Sequence, residues 1–147
     1  MKTNCFFILC FLLAQTIFAT DFYCDPVNGS PSNNGSKSNP WGTLESVFEK
    51  GIKFNTGDVI FLLSGNHGNV KVVGENQKYI NIKGFKGQTP IINSIIFGTD
   101  EVSASKWIFT NITFKEGINK NTISIHQNST KIRLLENHFI SNDDNNI

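Results

Sequence analysis

The 147-residue chain reads as an all-β protein, a parallel β-helix solenoid of three to four coils with one short α-helix near its N-terminus. Three observations predict this. After Gly57 the chain is a series of short Val-, Ile- and Phe-rich runs separated by Gly and Asn, with no second helical period. A single amphipathic stretch precedes them. Parts of the runs recur 25 to 27 residues apart, the sign of stacked structural units rather than of a sandwich.

Composition narrows the function classes. Lys+Arg is 13 and Asp+Glu is 12, a formal net charge of +1, so the Lys/Arg excess of an ordinary nucleic-acid binder is absent. An acidic disordered tail is excluded as well. Hydrophobic residues are 39% of the chain and include 13 Phe, enough for a core.

Residues 1–19 have the three-part plan of a secretory signal peptide: Lys2, the apolar run Phe6–Leu13, then a more polar stretch to Ala19. The apolar run is shorter than the ~20 residues that span a bilayer. An uncleaved anchor is the alternative. Cleavage after Ala19 removes Lys2, Cys5 and Cys10, leaving 12 basic and 12 acidic residues and Cys24 alone. A lone cysteine makes no internal disulfide, and Cys24 reads as a buried thiol. No stable membrane span is expected after cleavage.

Residues 20–56 form the N-terminal unit. Asp21–Cys24 is a short strand, and residues 25–40 are Pro, Gly, Asn and Ser turn chemistry. A calcium loop through Asp25, Asn28 and Ser30 is the sharper reading of that segment, weakened by its single carboxylate. Thr43 is a plausible N-cap, Leu44, Val47 and Phe48 fall on one helical face, and Gly51 is placed to stop the helix, which is expected over residues 44–50.

Residues 57–147 hold the coils. Strand runs are expected at Val59–Leu63, Val70–Val73, Tyr79–Ile82, Ile91–Phe97, Trp107–Phe114, Thr122–Ile125 and Ile132–Phe139. Aligning Ile80, Trp107 and Ile132 brings Ile82, Phe109 and Leu134 into register, and Phe114 matches Phe139. The alternation points these side chains to one side. A bend at Gly or Asn follows in each unit.

The Pro40-Trp41-Gly42-Thr43-Leu44 segment, the Gly57-Asp58 start with Ile60 and Leu62, and the runs YINIKGFKGQTPII and WIFTNITF resemble the N-terminal part of right-handed parallel β-helix proteins of the pectate-lyase-like superfamily. The resemblance implies right-handed coils and a helix covering the open end of the solenoid. It implies an exported, carbohydrate-active protein: a polysaccharide lyase or glycoside hydrolase acting on acidic polysaccharide, or a non-catalytic adhesion or glycan-binding protein. The partner is then a polysaccharide or cell-surface glycan. Ca²⁺ is the one cofactor that the resemblance suggests. The chain stops just after a coil strand with no closing segment, so the solenoid is expected to be incomplete at residue 147 and most catalytic residues to lie beyond it.

A lyase must neutralise a uronate carboxylate and place a base at the adjacent proton. An inverting hydrolase needs two carboxylates about 6.5–9.5 Å apart. The candidates here are few. Asp143 and Asp144 are adjacent, so on a strand they point to opposite faces. Lys115 follows a strand run. Arg133, the only Arg, alternates with Ile132 and Leu134 and should point outward. His126 and His138 also alternate outward, in no metal-ligand pattern, and His67 sits in a Gly-flanked turn. Sequons at Asn28, Asn34, Asn111 and Asn128 matter only in a glycosylating host.

Overall fold

A computed structural model of the chain describes residues 19–115 and 122–140. The alternating runs become twelve strands in three parallel sheets that wrap one core. In chain order they are β1 (Asp21–Cys24), β2 (Val59–Leu62), β3 (Gly65–Asn66), β4 (Asn69–Val72), β5 (Gly74–Gly84), β6 (Pro90–Ile92), β7 (Ser94–Phe97), β8 (Ala104–Thr110), β9 (Thr113–Lys115), β10 (Ile123–Ile125), β11 (Thr130–Leu135) and β12 (His138–Ile140). A five-stranded sheet runs β1-β2-β5-β8-β11, a four-stranded one β12-β9-β6-β3 and a three-stranded one β10-β7-β4. Each coil contributes one strand to each sheet, which makes a parallel β-solenoid of about three coils, with β11 and β12 beginning a fourth.

Register follows the sequence alignment. Ile80 pairs with Trp107 and Ile82 with Phe109. Trp107 then pairs with Ile132, Phe109 with Leu134, and Phe114 with Phe139. Inward positions therefore stack in columns, and Ile60, Ile82, Phe109, Ile92, Phe114, Ile95 and Phe97 are fully buried. Each such side chain contributes about 1.5–3 kcal/mol by leaving water.

Three of the predicted runs are each two strands of different sheets. The chain turns a corner at Asn93 between β6 and β7, at Asn111–Ile112 between β8 and β9, and at Glu136–Asn137 between β11 and β12. Asn111 (φ 53°) and Glu136 (φ 54°), 25 residues apart, adopt the left-handed conformation at the equivalent corner of successive coils. Asn137 then bonds the coil before it: its Oδ1 accepts from Ile112 N–H at 3.0 Å and its Nδ2 donates to the Phe109 carbonyl at 2.9 Å. Those contacts satisfy backbone groups that the corner takes out of the ladder. A two-residue strand such as β3 leaves no alternation to detect, so Gly65–Asn66 reads as a turn in the sequence. The 27-residue spacing of the second coil is the net of two changes. The connection from Phe97 to Ala104 is five residues longer than the one from Val72 to Gly74, which widens the register offset from 25 to 30, and three extra residues of β5 between Glu75 and Ile80 bring it back to 27.

The helix is α1 (Leu44–Glu49), capped by Thr43, whose hydroxyl accepts from Ser46 N–H at 3.1 Å. Gly51 (φ 66°) follows its end. Leu44 and Val47 are buried, the helix lies against β4, and Phe48 meets Trp107 edge-to-face at 5.5 Å. The free edge of β1 is paired by the loop rather than by the helix. Tyr23 N–H donates to the Gly35 carbonyl at 2.8 Å, Trp41 N–H to the Tyr23 carbonyl at 2.9 Å, and Asp25 N–H to the Trp41 carbonyl at 2.8 Å. The turn-rich segment thus blunts an edge that would recruit other strands. Among the described residues no helix is long and apolar enough to cross a membrane.

Candidate functional site

Outward residues of the five-stranded sheet stack as regularly as the inward ones. Tyr23 pairs with Phe61, and Phe61 with Lys83, on three successive strands. The Tyr23 and Phe61 rings stack at 5.2 Å and 22°. Phe85, just past β5, stands edge-on to both, at 5.5 Å from Phe61 and 5.8 Å from Tyr23. Lys83 Nζ lies 5.0 Å from the Phe61 ring centre and Lys37 Nζ 5.6 Å from that of Phe85, within cation–π range. All three rings remain half-exposed. A shallow notch of about 130 Å³ opens beside them, lined by Tyr23, Asp25, Lys37, Pro40, Leu63 and Phe85.

Asp25, on the floor of that notch, is committed to its own loop. Its Oδ1 accepts from Val27 and Asn28 N–H at 2.9 and 3.0 Å, and its Oδ2 from Asn28 Nδ2 at 3.1 Å. Burial alone would raise its pKa, but the Asn28 and Val27 donors outweigh burial and hold the carboxyl below its ordinary range. The calcium-loop reading does not fit. Asn28 turns its amide nitrogen toward Asp25, and the Ser30 hydroxyl is 2.8 Å from that of Ser32, so the three oxygens do not converge. Among the described residues no group of three or more His, Cys, Asp or Glu is placed to hold a metal ion.

A second concavity, a groove of about 460 Å³, lies between α1 and the three-stranded sheet. Glu45, Glu49, Glu101 and Lys71 line it with Asn69, Phe48 and others. Its carboxylates outnumber its cations, so it repels an anionic chain, whereas the aromatic row carries cations.

The residues singled out in the sequence are scattered. Arg133 points outward from β11 and its guanidinium lies 4.5 Å over the Tyr79 ring. Lys115 is exposed at the end of β9, on a different sheet, so the two are not brought together. Asp143 and Asp144 lie outside the described residues, as does the signal-peptide segment up to residue 18. Asn28, Asn34, Asn111 and Asn128 are all exposed. His126 Nδ1 meets Asp100 Oδ1 at 3.1 Å on the surface, and His138 is exposed. Cys24 is fully buried, and burial pushes its thiol far above the ordinary range, so it is no nucleophile. Sequence reasoning missed Tyr23, Phe61 and Phe85. The available signal was their outward phase next to inward Cys24, Leu62 and Ile60.

No family model, curated protein or solved structure matches this chain.

Proposed function

We propose that the protein is a secreted, carbohydrate-active β-helix of the pectate-lyase-like kind, the N-terminal part of a polysaccharide lyase or glycoside hydrolase, and that its described coils grip acidic polysaccharide. The observation that carries this is the outward row of Tyr23, Phe61 and Phe85 with Lys83 and Lys37 beside it. Half-exposed rings offer apolar faces and edges to the C–H groups of a pyranose. The ammonium groups suit the carboxylates of a uronate chain. Because the row follows the stacking direction of the strands, an extended chain laid along it meets ring, ring and cation in turn.

A non-catalytic glycan-binding role is the second reading. Asp25, the one carboxylate in the notch, has its oxygens occupied by three donors and is poorly suited to proton transfer. The row therefore binds, and catalysis belongs to residues outside it.

The test is titration of the protein with a polyuronate and with a neutral glucan, while following unsaturated uronate or new reducing ends. Tighter binding of the polyuronate, lost at high salt and in a Lys37→Ala/Lys83→Ala variant, supports the binding row. Turnover alongside it selects the enzyme and places catalytic residues within this chain; binding without turnover supports the binding row and agrees with both readings. Equal affinity for the two polymers overturns the proposal.

A further inference from the structure

We infer that His67 is a proton-operated latch that holds α1 against the solenoid while its ring is neutral and releases the helix when the ring gains a proton. His67 is fully buried in the bend between β3 and β4. Its Nδ1 accepts from the Leu44 N–H at 3.3 Å, so that nitrogen carries a lone pair, and its Nε2–H donates to the Leu63 carbonyl at 2.9 Å. The backbone of the same residue accepts from Glu45 N–H at 3.1 Å and donates to the Ile91 carbonyl at 2.8 Å. One residue thus takes up the first two N–H groups of α1, Thr43 takes that of Ser46, and the same residue ties the helix to two successive coils.

A second proton has no place in this arrangement. On Nδ1 it would point at the Leu44 N–H, two donors facing each other with no acceptor between them. It would also put a charge where water does not reach. The charged groups around the ring are Asp25, from the loop after β1, and Glu45, from α1, whose carboxylate lies over Gly68. Burial depresses the ring's pKa, and the Leu63 carbonyl and the Asp25 charge oppose it without reversing it. A released bend leaves the imidazole in water, where it titrates at its ordinary value. Acid therefore loads the released form first. The latch is fully effective above the ordinary histidine pKa and weakens as pH falls below it. Release uncovers Leu44 and Val47 and parts Phe48 from Trp107. It also dismantles the groove between α1 and the three-stranded sheet. This inference is independent of the proposed glycan binding.

Hydrogen exchange of the full chain from about pH 7.5 to 5, corrected for intrinsic exchange, tests it beside a His67→Gln variant. Protection of the residue 44–50 amides should fall by up to about tenfold per pH unit below ~6.5. Strands β5 and β8 should keep theirs, and Trp107 fluorescence should change with the helix. In His67→Gln the pH dependence should vanish. Flat protection of α1, a loss in step with β5 and β8, or the same loss in His67→Gln would each overturn the latch. Should the variant fail to fold, nitrogen-15 spectra of the wild-type ring decide the matter. An Nε2–H tautomer whose protonation coincides with loss of the Leu44 amide signal supports the latch. Titration at the ordinary value with that amide unmoved overturns it.

Discussion

The two ends of the solenoid share one inward pattern and differ in what lies over it. At the N-terminal end β1 sits under a loop that bonds its free backbone groups, and inward Cys24 is fully buried. At the other end β11 and β12 are the outermost described strands. There Ile132 and Leu134 are only half-buried and Phe139 is 53% exposed, although they continue the columns of Trp107, Phe109 and Phe114. Burial in a solenoid is thus a property of the neighbouring coil as much as of the residue. Edge protection is separate chemistry, supplied here by a Gly-, Asn- and Ser-rich segment with no core of its own.

Truncating one column at two heights should separate the two ends by the largest margin. Phe109→Ala removes a ring enclosed between coils and should cost about 3–5 kcal/mol in urea unfolding, whereas Leu134→Ala should cost roughly 1 kcal/mol because its site is already open. Equal costs would mean that the far end is as well packed as the middle.

Next in size is the edge loop. Gly35 has φ 78° and its Cα faces the Trp41 ring, so Gly35→Ala should lower stability by about 2–3 kcal/mol through strain and crowding together. Gly87→Ala, at φ 79° with open space around it, carries the strain alone and should cost about 1 kcal/mol. A matching loss at both sites would show that the packing of Trp41 under the loop contributes nothing.

A smaller effect separates the ends by pH. Asp25, held ionised by its loop, contributes stability that is present above the ordinary carboxylate pKa and lost as pH falls through its lowered value. Asp25→Asn should therefore flatten the acid limb of the thermal stability profile. An unchanged limb would place the acid sensitivity elsewhere. The smallest effect is at the surface, where Lys83→Ala should change folding stability by less than about 0.5 kcal/mol while weakening polyuronate binding.

Much of this was legible in the residues, for a physical reason. Inward columns need apolar side chains at fixed spacing, so Ile80, Trp107 and Ile132 align in the sequence alone, as do Phe114 and Phe139. Corners were harder to read. They are set by single left-handed residues, and Glu136 carries no mark of that conformation, so three pairs of strands read as three runs. The aromatic row was hidden differently: Tyr23 and Phe61 look like core residues until their phase against Cys24 and Leu62 is fixed. The helix is legible in the sequence and its attachment is not, because the partner of its first N–H group is a histidine 23 residues away.

Successive coils stack in parallel register, and cross-linking of partner positions on neighbouring strands reads that stacking out. Lys71 and Ile96 are exposed register partners on β4 and β7, and Ile96 pairs in turn with Ser124 on β10. Adjacent strands lie about 4.8 Å apart, so the Cα atoms of Lys71→Cys and Ile96→Cys are within disulfide range, while Lys71→Cys and Ser124→Cys, two strands apart, are not. With Cys5, Cys10 and Cys24 replaced, the first pair should oxidise readily to an intramolecular bond and the second should stay reduced. A bond in the second pair, or none in the first, would contradict the stacked solenoid.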